Sequence, residues 1–294
     1  MKSYKYKREH IDFNERPIKK STKGTRRKKV VLLKTDELAF LKYQRDSRCS
    51  EACSEKIAYE IAKSIGYNCA RIELAYDEKG ELCVLNYFFL REGEKHDDIA
   101  PYLMDVKKEG QTRKDFYTYE NIKSVLMRMD KSKSLYRSFV KIMIFDALIG
   151  EQDRHEENWG IIVNDLGTFM SPLYDNGDSL LRDFYNAEFG NKFYNKEKDF
   201  NKYICKSLTQ IYDENKKKYR HFDLIQKLCD DDKQFVKKEI ANIRLKLPDK
   251  RIRDIVMAIP CDCMSNIQKE YIIKYVIERK RILYAIVRGK KYEK

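Results

Sequence analysis

The chain has no run of 18 or more apolar residues, which excludes an ordinary membrane-spanning helix. No apolar stretch follows the charged residues Met1 to Lys7, so a secretory signal is not expected and the chain reads as cytoplasmic. Gly, at 11, and Pro, at 5, are too scarce for collagen-like or mucin-like sequence, and no heptad runs the length of the chain. None of the eight cysteines forms a CxxC pair. Cys49-x3-Cys53 and Cys261-x-Cys263 have no His at zinc-ligand spacing, so the cysteines read as free thiols or small buried hydrophobes.

Aromatic residues, in contrast, make up 12% of the chain, which argues against disorder. A length of 294 residues suggests two folded units, or one domain with two lobes. The net charge is +14 and unevenly placed. Residues 1–34 hold thirteen Lys or Arg against three acids, which leaves only +4 for the rest. A basic tenth of this kind fits a nucleic-acid arm, a contact with an acidic membrane or a phosphate-binding loop, although charge alone favours a plain solvated face.

Apolar periodicity divides the chain. Lys29–Leu33 and Leu38–Tyr43 read as strands, Ser50–Gly66 as a helix with Gly66 as its C-cap, and Arg71–Tyr76 and Glu81–Phe89 as a hairpin. Beyond residue 95 helical spacing takes over at Asp115–Met129, Ser134–Ile149, Asp199–Asn215, His221–Cys229, Lys233–Leu247 and Ser265–Val287. Ser265 and Gln268 make a capping box for the last. One hairpin, Gly160–Val163 with Thr168–Leu173, interrupts the helices. The expected fold is α+β and two-lobed: a β-rich lobe with one helix over residues 1–95 and a helical lobe over 96–294.

The strongest chemical signal flanks that hairpin. Asp153 and Asn158 precede it and Asp175 follows it in Tyr174-Asp175-Asn176-Gly177. Any one of these is ordinarily a turn former or a helix cap. Together they are the set that phosphoryl transfer needs: a carboxylate to orient the attacking hydroxyl, then an amide oxygen and a second carboxylate to hold Mg²⁺ against phosphates. The step from Asp153 to Asn158 equals the spacing between catalytic Asp and metal-binding Asn in protein kinases. Upstream, Lys42 stands near a strand end and Glu55 in the first turns of the next helix, positions that also suit a solvent-facing lysine and a helix-dipole complement. The loop Ser21–Lys29, with Lys23, Gly24, Lys28 and Lys29, is neither GxGxxG nor a Walker A motif, but its backbone and cations suit phosphate.

These residues resemble the HipA-like Ser/Thr kinases, most of all the short CtkA/HipT-type branch. The resemblance is carried by Lys28-Lys29, Leu41-Lys42, Ser54-Glu55, Ser64-Ile65-Gly66, Leu148-Ile149-Gly150, Asp153-Arg154-His155, Asn158-Trp159-Gly160 and Ser171 to Gly177, over about residues 20–180. It implies a protein-kinase-like fold with ATP and Mg²⁺ between the lobes. It implies Asp153 as catalytic base, His155 in the catalytic loop, Asn158 and Asp175 as metal ligands, Lys42 on the phosphates and Glu55 as its partner. Asn86-Tyr87-Phe88-Phe89 would be the hinge, facing adenine through its backbone. Ser21, Thr22 and Thr25 would be candidates for autophosphorylation. Glu151 stands where the family usually has Asn. The implied partners are a protein substrate, the translation machinery among the plausible sources, and an antitoxin or regulator. Asp-Arg-His also occurs in phosphatidylinositol kinases, so a lipid or small-molecule kinase is one alternative. A nucleic-acid binder using residues 1–34 is another, and it leaves Asp153, Asn158 and Asp175 unexplained.

Overall fold

The computed structural model describes residues 27–290, apart from 34, 46–49, 78, 106, 108 and 183–196. Lys23, Gly24, Ser21, Thr22 and Thr25 therefore lie outside the described residues.

Strands β1 (Lys28–Leu32), β2 (Leu38–Tyr43), β3 (Ile72–Tyr76) and β4 (Leu82–Tyr87) form an antiparallel sheet in the order β1-β2-β4-β3. The two-residue period of β2 sorts its side chains. Ala39, Leu41 and Tyr43 join Val31, Leu33, Ala75, Cys83 and Leu85 in one buried cluster. Phe40 and Lys42 occupy the other face, and register sets Lys28 opposite Lys42. That face also carries Ile72 and Val84, which pack on Ala52 of helix α1 (Glu51–Ile65). Gly66 ends α1 with φ 81°, a left-handed conformation that a side chain would strain, as the C-cap reading expected.

The chain then passes β5 (Lys95–Asp98) and enters the helical lobe through α2 (Ala100–Met104). Neither was expected, since Lys95-His96-Asp97-Asp98 has no apolar alternation to reveal a strand. Its pairing comes from outside: β5 lies against β6 (Gly160–Asn164), which pairs with β7 (Gly167–Met170). Gly160 permits this approach, because a Cβ there would stand 2.1 Å from the Asp97 carbonyl oxygen.

The expected helix Asp115–Met129 is broken into α3 (Arg113–Phe116) and α4 (Tyr119–Met129). Thr112 and Asp115 close a capping box on α3, and Thr118 caps α4 through the Asn121 N–H. Helix α5 (Ser134–Ile149) has the bounds that its apolar pattern predicts. The expected helix Asp199–Asn215 is only half present. It is α6 (Glu197–Ile204), followed by the hairpin β8 (Leu208–Tyr212) and β9 (Lys218–Arg220). Asp213 accepts the N–H groups of Asn215 and Lys217 at 2.9 and 2.8 Å, and this side-chain turn outcompetes a helix. His221–Lys246 forms one helix, α7, kinked at Asp232, where the sequence suggested two. After α8 (Asp249–Met257), α9 (Asn266–Val287) starts at Ser265, whose hydroxyl accepts the Gln268 N–H as expected. The main core joins α1, α4, α5, α7 and α9, and Cys53, Cys205 and Cys229 are buried in it as small hydrophobes. Among the described residues no helix is long and apolar enough to cross a membrane.

The architecture is thus α+β and two-lobed: the four-stranded sheet and α1 precede a helical body, and the β6–β7 hairpin, inserted after α5, pairs with β5 from the link between the two.

Candidate active site

Lys42 reaches two carboxylates from different parts of the chain. Its Nζ lies 3.0 Å from Glu55 Oε1 on α1 and 2.5 Å from Asp175 Oδ1, 133 residues away in sequence. The Lys42 side chain is 11% exposed and that of Glu55 2%. Glu55 also accepts the Asn176 backbone N–H through Oε2 at 3.0 Å, so α1 is fastened to the segment bearing Asp175. Further along, Ser54 donates to the Ser179 carbonyl and Arg182 pairs with Glu51 at 2.8 Å. Residues 175–182 therefore dock along the start of α1.

Asp175 has φ 52°, a left-handed conformation uncommon in a non-glycine residue. Its neighbours hold it there. Arg154 donates to the carbonyl oxygen of Tyr174 at 2.6 Å and to Oδ1 of Asn176 at 2.5 Å, one residue on each side. The same guanidinium donates to the Asn158 carbonyl at 3.0 Å and grips Asp146 of α5 through Nε and Nη2. Arg154 is 3% exposed and Asp146 2%. Burial pushes the Asp146 carboxyl up while the guanidinium opposes that shift. Arginine keeps its charge, and the pair sits at the crossing of α5, the 153–158 loop and the 174–176 segment.

The loop has its own frame. Asp153 N–H donates to Glu151 Oε1 at 2.7 Å, and Asn158 Nδ2 donates to the Asp153 carbonyl at 2.8 Å. With its NH₂ held, Asn158 has the amide oxygen to offer a cation. His155 donates its N–H to the Asp153 carbonyl, and its Nδ1 accepts the Glu157 N–H, so it shapes the loop while lining the cleft. Glu151 is 1% exposed, and burial pushes its carboxyl well up. Its backbone oxygen accepts Nε2–H of buried His221 at 2.7 Å. Burial, with the charge of nearby Arg279, pushes His221 down to about 3, so the ring is neutral. Ser207 bridges the two: it accepts from Arg279 at 2.6 Å and donates to His221 Nδ1 at 3.0 Å.

The loop borders a cleft of about 610 Å³. Asp153, His155, Asn158, Asp175, Lys42 and Lys28 all face it, as do Tyr87 and Phe88. Lys28 and Lys42 stand side by side, and burial together with the Lys42 charge pushes the Lys28 ammonium down. A bound anion would relieve that repulsion. Glu55 sits behind Lys42. Lys29 does not join them: by strand alternation it stands exposed opposite Leu41, on the other face of the sheet. The aromatic wall is built from stacked pairs, Phe40 on Phe88 at 4.4 Å and Phe89 on Tyr174 at 5.9 Å, which suits a planar base. The N–H groups of Tyr87 and Phe88 are engaged by the carbonyls of Arg71 and Leu38. Any backbone N–H offered to a base therefore comes from beyond Phe88. His96, which packs edge-on to Phe89, lines the cleft with a buried Nε2 that has no partner among the described residues.

Sequence reasoning missed Arg154 as the hub, Asp146, His96 and Asn176. One signal was available for Asp146: it is the lone acid in the apolar run Ile142 to Ile149.

The donor set fits a hard cation together with phosphates. Among the described residues no cluster of three or more His, Cys, Asp or Glu forms a metal cage. Asp175 and Asn158 provide two oxygen donors, and Mg²⁺ commonly completes such a shell with water and phosphate oxygens.

Residues 20–259 match the family model described as the HipA-like C-terminal domain. The chain belongs to the HipA-like family. Among solved structures, the proinflammatory kinase CtkA of Helicobacter pylori superimposes with a TM-score of 0.79 at 19% identity, over 96% of this chain and 98% of that one. HipA of Shewanella oneidensis MR-1, solved with HipB and operator DNA, gives a TM-score of 0.54 at 13% identity. That match covers 86% of this chain and 58% of the other. No curated protein sequence matches significantly. The HipA-like resemblance and the two-lobed kinase-like fold expected from the sequence both stand.

Proposed function

We propose that this HipA-like chain is an ATP-dependent protein kinase that phosphorylates Ser or Thr hydroxyls. The observation that carries the reading is Lys42 bridging Glu55 and Asp175 in the same cleft as Asp153 and Asn158. We take the small lobe to be residues 1–95 and the helical lobe 96–294.

Lys42 binds the α- and β-phosphates, and Glu55 keeps its ammonium aimed there. Lys28 adds a second cation to the phosphate side. Asp175 and Asn158 would hold Mg²⁺, which would neutralise charge that develops on the phosphate oxygens. Asp153 orients the acceptor hydroxyl and takes its proton. Arg154 makes this arrangement one unit by tying the Asp153–Asn158 loop to Tyr174 and Asn176. The aromatic pairs hold the base, and His96 Nε2 offers it or the ribose a hydrogen bond.

An antitoxin-type regulator is a proposed partner, on the example of the Shewanella HipA solved with HipB. A translation-related protein substrate, autophosphorylation in 21–25 and action in the cytoplasm belong to the same reading. Labelled γ-phosphate from Mg-ATP should appear on protein Ser or Thr with wild type and be absent with Asp153→Ala. Label on a phosphoinositide or small molecule alone would transfer the reading to that acceptor class. Absence of all transfer, with salt-sensitive nucleic-acid binding that survives in Asp175→Ala, would replace it with the binding function.

A further inference from the structure

Phosphoryl transfer gathers negative charge around the γ-phosphoryl group, and preorganised cations there lower the barrier. Among the described residues the Asp153–Asn158 loop offers the acceptor side few of them. Between Asp153 and Asn158 stand Arg154, His155, Glu156 and Glu157. Arg154 is the only Lys or Arg of the loop, and it is buried and engaged with Asp146, Asn158, Tyr174 and Asn176. Arg113 is paired with Glu156 at 2.7 Å. Lys42 is held by Glu55 and Asp175. The loop itself thus brings two further acids and no outward cation.

The β8–β9 hairpin brings one to the start of this loop. Lys218, the first residue of β9, is half-buried, and its Nζ donates to Gln210 Oε1 at 2.7 Å. Gln210 in turn donates through Nε2 to the carbonyl of Gln152, the residue before Asp153. The hairpin is anchored on both sides of this link. Tyr212 N–H donates to the Tyr117 carbonyl at 3.1 Å, and His221, just after β9, donates to the Glu151 carbonyl. Gln210 Oε1 takes one of the three ammonium donors. Burial and the Arg113 charge push the Lys218 ammonium down, while the Asp153 carboxylate acts to hold it up, so the two groups feel one another.

We propose that Lys218 is a catalytic residue that contacts the γ-phosphoryl group during transfer, bringing from a distant hairpin the cation that the catalytic loop lacks. The inference rests on the kinase reading above. In the step it serves, the acceptor oxygen forms a bond to the γ-phosphorus. The bond from that phosphorus to the β–γ bridging oxygen breaks, its electron pair leaving with ADP, and the hydroxyl proton passes to Asp153. Lys218 exchanges no atom. It balances charge on the moving group and keeps a positive neighbour beside the Asp153 carboxylate.

The test compares wild type, Lys218→Met and Lys218→Arg, first in binding and then in turnover. Calorimetry with Mg-ADP, alone and with aluminium fluoride as a mimic of the moving phosphoryl group, reads the contact without catalysis. Wild type should bind the fluoride complex at least about tenfold more tightly than Mg-ADP, in line with binding that favours the transition state. Lys218→Met should bind Mg-ADP within about twofold of wild type and lose that tightening. Its kcat should fall about 100-fold, the usual loss for one electrostatic donor, with KM for ATP nearly unchanged. Lys218→Arg should restore much of both. Retained tightening and kcat in Lys218→Met would overturn the proposal and leave Lys218 as a hairpin strut. Weakened Mg-ADP binding in both variants would do the same. A wild-type chain that neither binds Mg-ADP nor transfers phosphate would instead remove the kinase reading, and this inference with it.

Discussion

Lys42 and Asp175 decide the site at the level of single residues, because each is positioned by contacts on the far side of the cleft. Asp175→Ala should abolish phosphoryl transfer by removing a carboxylate from the cation site. It should melt near wild type, since Lys42 keeps Glu55 as a partner. Transfer rates and a thermal scan on one preparation check both halves, and undiminished transfer defeats the metal assignment. Lys42→Met should cut turnover far more than stability, and Glu55→Gln should give a smaller loss of the same kind. Partners in contact do not act independently, so the double variant should fall short of the summed effects by about 0.5–3 kcal/mol in transition-state free energy. Full additivity in kcat/KM would contradict the pair. Lys42, Glu55, Asp153, Asn158 and Asp175 were legible in the sequence as candidates, because chemistry restricts their type and the loop restricts their spacing, and the structure gathers them around one cleft. Lys29 was misread because only the observed register shows which of two adjacent lysines faces the cleft.

At the scale of elements, α5 delivers the Asp153–Asn158 loop and Asp146 is the anchor between them. Removing one partner of a buried pair leaves an uncompensated charge, so Asp146→Ala should destabilise the fold by about 3–5 kcal/mol. Denaturant unfolding measures this, and a loss below about 1 kcal/mol would show that Arg154 is held by its other acceptors alone. Local signals gave α5, the Gly66 end of α1 and the Ser265 start of α9, where the caps belong to the element itself. They could not give β5, a polar strand whose only reason to pair is β6. Nor could they give the break at Tyr117. That residue is buried because its hydroxyl donates to the Arg154 carbonyl and accepts from Trp159, both far along the chain. The β8–β9 hairpin was lost to a helical reading because the turn made by Asp213 was not recognised.

For the molecule as a whole, buried His221 couples the segment at Glu151, just before Asp153, to stability. Its pKa is depressed in the fold to about 3, against an ordinary value of 6.5. Between those values the unfolded chain binds a proton that the folded chain refuses, so this contribution is complete above pH 6.5 and is lost as pH falls toward 3. The loss should be on the order of 5 kcal/mol. Unfolding free energies at pH 7 and pH 4.5 should differ by less in His221→Gln than in wild type, and an equal slope in both would contradict the assignment. The central claim is that the two lobes close a Mg²⁺-nucleotide site between Lys42 and Asp175, and its most direct measurement is equilibrium binding of a non-hydrolysable ATP analogue with and without Mg²⁺. Wild type should gain at least about tenfold in affinity from the metal, a difference of about 1.4 kcal/mol, and Asp175→Ala should gain almost nothing. Absence of binding by wild type, or the same gain in both proteins, would contradict the account.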